Sequence, residues 1–447
     1  MSARSVNPLR AVVVGLGRTG LSVARFLLAQ GTRVAVTDSR AAPPELSALQ
    51  ALGAPVVVRT GGFDAALLQQ ADLVVVSPGV PLSGPFFEAA RARGLSIVGD
   101  IELFARAARA PVVGITGTNG KSTVTSLLAQ MAARSGVEMR AGGNLGPPAL
   151  DLLASGVKLY ILELSSFQLE TTESLALAAA AVLNVSSDHL DRYPSLQAYA
   201  AAKARIYARC DVAVINLDDP LVAAMPGAGQ RQLSFSLRAD VGADYALMRR
   251  AHGDWWLTRR AELLLACAEL RLSGLHNAAN ALAALALAEA LALPRAACLE
   301  VLREFPGLPH RTQWVADIGG VRYINDSKGT NVGATLAAVG GMQGPLIVIA
   351  GGDGKGQDFA PLRAAFADKV RAVVLIGRDA GALASALQGV SELHFAADLD
   401  AAVEQAARLA RAGDRVLLSP ACSSLDMFRD YAQRGELFAA AVQRRSA

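Results

Sequence analysis

The sequence predicts an α/β protein of three domains: an N-terminal Rossmann-like domain, a central domain built on a parallel sheet, and a C-terminal Rossmann-like domain. Three observations carry that prediction. The chain has 447 residues, it alternates short β-branched runs with helical stretches, and it twice places a glycine-rich turn between a strand and a helix. At roughly 150 residues per domain, that length makes about three. Strands alternating with helices imply crossovers and parallel sheets, because parallel neighbours cannot be joined by a hairpin.

Composition limits the function. Lys and Arg total 43 and Asp and Glu 39, a formal charge of +4, too small for a protein that coats nucleic acid. With 52% hydrophobic and 18% charged residues the chain is not a disordered one. No run of about 20 uninterrupted apolar residues occurs, so no membrane span is expected; the Ala- and Leu-rich stretch 281–293 is broken by Glu289. Met1 to Arg10 lacks the apolar core and cleavage site of a signal peptide. Cys210, Cys267, Cys298 and Cys422 show no CxxC spacing, which argues against a disulfide framework or a zinc knuckle. A cytoplasmic, monomeric enzyme with no nucleic-acid or membrane partner is expected.

The elements follow in order. Strands are expected at Ala11–Val14, Arg33–Thr37, Leu73–Val76 and Leu95–Val98, with helices at Leu21–Gln30 and Phe86–Arg93. A second unit opens at Pro111–Thr116, continues into a helix at Ser122–Ser135, and adds strands at Leu159–Leu164, Ala180–Val185 and Val212–Leu217 and a helix at Leu275–Leu293. Pro and Gly crowd the segment Phe305–Pro309, which reads as a linker. Beyond it come strands at Tyr323–Ile324, Leu346–Ala350, Ala372–Ile376 and Arg415–Leu418. The expected domains are therefore 1–99, 100–307 and 308–447.

Gly15-Leu16-Gly17-Arg18-Thr19-Gly20 follows the first strand and opens a helix, with Asp38 closing the next strand. Glycines permit a tight turn and close backbone approach, and the helix N-terminus faces an anion. The motif indicates a diphosphate: NAD, with Asp38 on its ribose, or another diphosphate compound. Gly114 to Thr123 ends in the Gly-Lys-Ser of a phosphate loop, in which backbone amides cradle phosphates, the Lys reaches the outer phosphates and the hydroxyl meets Mg²⁺. Ile115 stands where the usual spacing has glycine. The central domain is thus expected to be a P-loop-type ATPase, binding ATP through Gly117, Thr118, Asn119, Gly120, Lys121, Ser122 and Thr123. Glu163 and His189 each follow a strand, where a parallel sheet collects its ligands, and are candidate Mg²⁺ ligands.

The loop Gly-Thr-Asn-Gly-Lys-Ser-Thr at 117–123 resembles the ATP loop of the Mur ligases and folylpolyglutamate synthetases. The motifs Asp188–Tyr193, Leu275–Asn280, Asn325–Asn331, Gly351–Lys355 and Ser419–Phe428 extend the resemblance to Mur ligases from Val12 to Gly435. The resemblance implies several roles. Lys203 would be carbamylated and, with Ser122, Glu163 and His189, hold Mg²⁺; composition alone reads it as a solvated helix lysine. Asn277, Asn280, Arg311 and Asp326 would contact ATP, although the two asparagines read equally well as a helix cap and a polar helix position. Lys121, Glu163, His189, Lys203 and Lys328 would be catalytic.

The final motif implies that the amino acid added is D-glutamate, bound by Thr330, Lys355, Ser424, Leu425 and Tyr431. The acceptor implied is UDP-N-acetylmuramoyl-L-alanine, held by Gly15, Leu16, Gly17, Arg18, Thr19, Asp38, Ser39, Ser77, Pro78, Gly79, Asn144 and His189. ATP would activate the acceptor's carboxylate as an acyl phosphate for peptidoglycan precursor synthesis. The third domain would close over bound nucleotide. Alternatives are another Mur-type or folylpolyglutamate-type amide ligase, a dehydrogenase, or a nucleotide-binding regulator.

Overall fold

The computed structural model describes residues 9–189, 191–272, 274–342 and 344–445. The signal-peptide reading of Met1–Arg10 lies outside the described residues at positions 1–8. Among the described residues no helix is long and apolar enough to cross a membrane.

Three sheets succeed one another along the chain. The first contains β1 (Arg10–Val14), β2 (Arg33–Asp38), β3 (Val57–Thr60), β4 (Leu73–Val76) and β5 (Ser96–Gly99), in the order β3-β2-β1-β4-β5. All its pairings are parallel. The second contains β6 (Val112–Thr116), β7 (Met139–Gly143), β8 (Leu159–Glu163), β9 (Ala179–Val182), β10 (Val212–Asn216), β11 (Arg231–Ser236), β12 (Tyr245–Arg249), β13 (Trp255–Arg259) and β14 (Glu262–Ala266). Its order is β14-β13-β12-β11-β10-β9-β6-β8-β7, antiparallel only across β12, β13 and β14.

The third contains β15 (Gln313–Ile318), β16 (Val321–Asn325), β17 (Leu346–Gly351), β18 (Val370–Ile376), β19 (Glu392–Phe395) and β20 (Arg415–Leu418), ordered β15-β16-β20-β17-β18-β19. Only its edge strand β15 is antiparallel. This is the three-domain α/β architecture that the alternation of strands and helices predicts.

Central strands are buried on both faces, so they read as continuous apolar runs. All four residues of β4 and all six of β17 are buried. The Ala-rich helix Leu275–Ala290 packs on the second sheet at β9–β12 and beside the helix Lys121–Arg134, which lies on β6–β8, and its small side chains let it approach both closely. Both phosphate turns sit at switch points. β1 lies between β2 and β4, and β6 between β8 and β9, so the loops that leave them open into crevices between diverging connections. The three C-terminal motifs leave the adjacent strands β16, β20 and β17.

Several elements differ from the sequence reading. β3, β7, β11–β14, β15 and β19 were not expected. β7 is Met-Arg-Ala-Gly-Gly and β3 is largely exposed, so neither carries an apolar period. The strand expected over Ala180–Val185 stops at Val182, because Leu183 to Val185 turn away to brace the phosphate loop. The helix expected to reach Leu293 ends at Ala290.

At Gly20 a Cβ would lie 2.0 Å from the Gly15 carbonyl oxygen, whereas at Gly17 it would meet nothing within 4 Å. Gly20→Ala is expected to cost about 1–3 kcal/mol of stability in urea denaturation, with Gly17→Ala near neutral. Equal midpoints for the two variants would contradict this packing.

Candidate active site

A cavity of about 550 Å³ opens above β1 and β4, walled by the glycine turn, by Asp38, Ser39 and Arg40, and by Ser77-Pro78-Gly79. Its far wall is the central domain, at Gly143, Asn144 and Gln168. Gly15 has φ +90, and its carbonyl accepts a hydrogen bond from the Ser77 hydroxyl at 2.9 Å. Asp38 is buried, with both oxygens engaged. Oδ2 accepts from the Leu16 N–H (2.6 Å) and Arg40 Nη2 (2.7 Å), while Oδ1 accepts from the Arg40 N–H and Nε. Burial alone would raise its pKa, but the Arg40 and backbone hydrogen bonds outweigh burial and bring it down to about 2. Asp38 therefore braces the turn and orients Arg40. Leu16 and His189 do not line this cavity; the Leu16 side chain lies in the core.

The phosphate loop is held from behind by β9's continuation. The Asn184 side chain accepts from the Asn119 N–H at 2.8 Å and donates to the Asn119 carbonyl at 3.1 Å, while the Asn184 carbonyl accepts from Thr118 N. Gly120 has φ +86, and a Cβ there would lie 2.4 Å from Asn280 Oδ1. A second cavity of about 640 Å³ lies on this loop. Asn119, Gly120, Thr123, Asn277, Asn280, Arg311, Asp326 and Lys328 line it, joined by Asn184, Asp219 and Leu308. Gly117, Thr118, Lys121 and Ser122 are not on its wall.

Where the strand ends converge, five cationic side chains gather; four of them act on Glu163, and Asp188 and Asp326 lie among them. Lys121 Nζ donates to the carbonyls of Gly117 and Thr118, both at 2.8 Å, and Lys203 Nζ donates to the same Gly117 carbonyl at 3.0 Å. Lys203 is fully buried, over the Tyr199 ring at 4.3 Å, which rules out the solvated-lysine reading. Burial and the nearby Lys121 hold its pKa well below the ordinary lysine value. Burial likewise lowers the pKa of Lys121 and Arg311.

Lys328 stands 3.7 Å from the centre of the Tyr431 ring. Burial, with Arg311 and Lys121 reinforcing it, brings its pKa down to about 7. The fifth cation, Lys355, sits in a turn at φ +50 and acts electrostatically on both His189 and Lys328.

Glu163, at the end of β8, is the carboxylate that four of these cations share. Its Oε1 accepts from Asn144 Nδ2 at 2.6 Å, and its Oε2 is buried without a hydrogen-bond partner. An orphaned hard oxygen at a strand end suits a divalent cation that draws its remaining ligands from phosphate and water. His189, at φ +55, lies edge-on to Phe167 at 4.9 Å, and burial lowers its pKa so that the neutral imidazole dominates. Among the described residues no group of three or more His, Cys, Asp or Glu side chains is gathered.

The third domain is docked on the loop. Arg311 donates to the Ser122 hydroxyl at 2.7 Å. The Asn331 and Asn119 side-chain amides pair reciprocally at 3.2 and 3.3 Å. Asn331 also donates to Asp188 at 3.2 Å and caps the helix Val332–Gly341 by accepting from Ala334 N. Asn331 sits in a quoted motif, yet its interdomain role went unread because its partners lie 143 and 212 residues away. Asn184, which holds the phosphate loop from 65 residues away, was missed for the same reason. Asp326 accepts from Thr312 N and Ser419 Oγ, and burial raises its pKa to about 6. Two hydrogen bonds between Asp353 and Ser423 bring the Lys355 turn beside Ser424, and Ala421 N donates to Gly329 O near Thr330. Leu425 is exposed.

Three family models match the chain. They are a MurD-like N-terminal domain of Mur ligases over residues 9–99, the Mur ligase middle domain over 115–288, and the Mur ligase glutamate ligase domain over 310–422. Relatives named UDP-N-acetylmuramoylalanine–D-glutamate ligase include those of Nitrosococcus oceani (56% identical) and Methylobacillus flagellatus (53%). Each match covers 97% of this chain and 96% of the relative. Among solved structures, the UDP-N-acetylmuramate-alanine ligase of Thermotoga maritima matches with TM-score 0.62 at 20% identity, covering 98% of this chain and 99% of its own. A pseudomurein peptide ligase of Methanothermus fervidus matches with TM-score 0.62 at 19%, with the same coverage. At these identities the structural matches establish the fold.

With its pKa near 7, Lys328 is largely neutral at pH 8 in the free protein. A bound polyanion favours the protonated amine, so ATP binding at pH 8 is expected to take up on the order of one proton, falling away below pH 6. Calorimetry in buffers of different ionisation enthalpy measures this. Lys328→Gln is expected to lose the uptake, and an unchanged value would contradict the assignment.

Proposed function

The chain belongs to the Mur ligase family, and from that membership we propose that it joins D-glutamate to UDP-N-acetylmuramoyl-L-alanine with the consumption of ATP, in peptidoglycan precursor synthesis. The observation that carries the reading is the group of desolvated cations around Glu163, at the junction of three strand-end sites. The sugar nucleotide occupies the N-terminal cavity (domain 1–99), ATP the loop cavity (100–307), and D-glutamate the pocket of the third domain (308–447).

A carboxylate is a poor electrophile, so it is first phosphorylated. Bringing it to a triphosphate costs about 4 kcal/mol per close anion pair at 4 Å with an effective dielectric near 20. Lys121 and Arg311 offset that repulsion at the transferred phosphoryl group. Asn144 lines the sugar-nucleotide cavity and also bonds Glu163, which places the acceptor's reacting end towards the loop. Lys355, Thr330 and Ser424 hold the carboxylates of D-glutamate beside the Tyr431 ring. The amine attacks the acyl phosphate and phosphate leaves. Lys328, protonated once the polyanion is bound, adds its charge to the neutralisation of the acyl phosphate, and the proton that the attacking amine releases passes to phosphate or solvent.

Glu163, His189, the Ser122 hydroxyl and a carbamate on Lys203 would hold Mg²⁺, which supplies charge neutralisation at the phosphates. Two lysine amines sharing the Gly117 carbonyl favour a neutral Lys203, the form that adds carbon dioxide. The N–C bond forms, one proton leaves, and a buried neutral amine becomes an anion. Four unpaired cysteines suit a reducing cytoplasm, and a single chain contains every group the reaction needs.

The test is phosphate release requiring both UDP-N-acetylmuramoyl-L-alanine and D-glutamate. Equal turnover with L-glutamate would overturn the assignment. Lys203→Ala is expected to lose at least about a hundredfold in kcat and to regain part of it with added short carboxylic acids. Full activity in that variant would remove the carbamate from the mechanism.

A further inference from the structure

A third cavity, of about 780 Å³, lies between the central and third domains, and His276 lines both it and the nucleotide cavity. Its lining is apolar apart from a few groups of one sign. Arg322, Lys369 and Arg415 are on its wall, and no Asp or Glu is. Asp317 nearby pairs with Arg322 at 3.0 Å. Among the described residues Lys369 Nζ is bound by the carbonyls of Val339, Gly340 and Met342, at the C-terminal end of the helix Val332–Gly341. The Arg415 side chain makes no hydrogen bond or ion pair among the described residues, and its backbone N–H is donated to Pro345.

The rim carries two tryptophans, Trp255 on β13 and Trp314 on β15, at 41% and 59% exposure. One face of Trp255 is covered by Arg249 at 5.8 Å. Trp314 Nε1 donates to Asp317 Oδ1 at 3.3 Å. Large rings left in water around a concave apolar wall mark a binding surface, and a free guanidinium beside them selects a negative charge.

We propose that this cavity is a ligand site, separate from the three substrate sites, for a small aromatic anion. Its ring stacks on Trp314 and its carboxylate, sulfonate or phosphate group pairs with Arg415. The ligand would share a wall with the nucleotide, since His276 borders this cavity and Asn277 and Asn280, further along the same helix, border the other. By linkage, whatever factor the anion changes ATP affinity by, ATP changes the anion's affinity by the same factor.

The probe is 1-anilinonaphthalene-8-sulfonate, titrated into the full chain with tryptophan emission and probe fluorescence followed together. One saturable site is expected, with Arg415→Glu weakening it by about tenfold or more and Trp314→Ala removing most of the energy transfer. Neither residue belongs to the catalytic groups, so both variants are expected to keep wild-type turnover, which certifies their folding. Saturating ATP is expected to leave the probe bound. Unchanged affinity in Arg415→Glu, absence of saturable binding, or complete displacement by ATP would each overturn the proposal. Failure here would leave the ligase reaction untouched, because turnover is read separately.

Discussion

Four cations gathered about Glu163, with Lys355 beside Lys328, are the constraint on which the site depends. Lysines and arginines drawn out of water and set beside one another are unstable as a group unless anions join them. Lys121, Lys203, Arg311 and Lys328 all have depressed pKa values, with burial the leading cause in each. Such an arrangement weakens the empty protein and strengthens the liganded one. In the proposed reaction a triphosphate and three substrate carboxylates would supply the missing negative charge.

The cluster exists only because separate domains meet there. Lys121 and Lys203 come from the central domain, and Arg311, Lys328 and Lys355 from the third. What fixes their relation is short-range and polar. Arg311 reaches the Ser122 hydroxyl, and Asn331 spends its whole amide on Asn119, Asp188 and its own helix cap. Backbone strain is concentrated in the same region. His189, His310, Thr312, Lys355 and Ala421 all adopt positive φ without being glycine. Such conformations persist where surrounding structure enforces them, and here they aim groups into the junction.

The two glycine turns use one physical device for different tasks. Both follow a strand at a switch point and open a helix whose first N–H groups are free for an anion. At the first, an acid beneath the turn is consumed in bracing it, leaving Arg40 facing the cavity. At the second, a lysine folds back over the loop carbonyls and a buried lysine waits behind it.

The sequence by itself determined the α/β class, the two phosphate turns and the family. Each of these is written in contiguous residues, because a tight turn needs glycine where it bends and a doubly buried strand needs an unbroken apolar run. Strands β3 and β7 escaped notice because exposed or glycine-bearing strands carry no such period. Tertiary structure alone decided that Asp38 is a brace, that Lys203 is buried beside Lys121, that Glu163 keeps one oxygen orphaned, and that Asn331 joins two domains. A side chain's partners and its desolvation are set by residues up to some two hundred positions away, and local spacing holds no record of them.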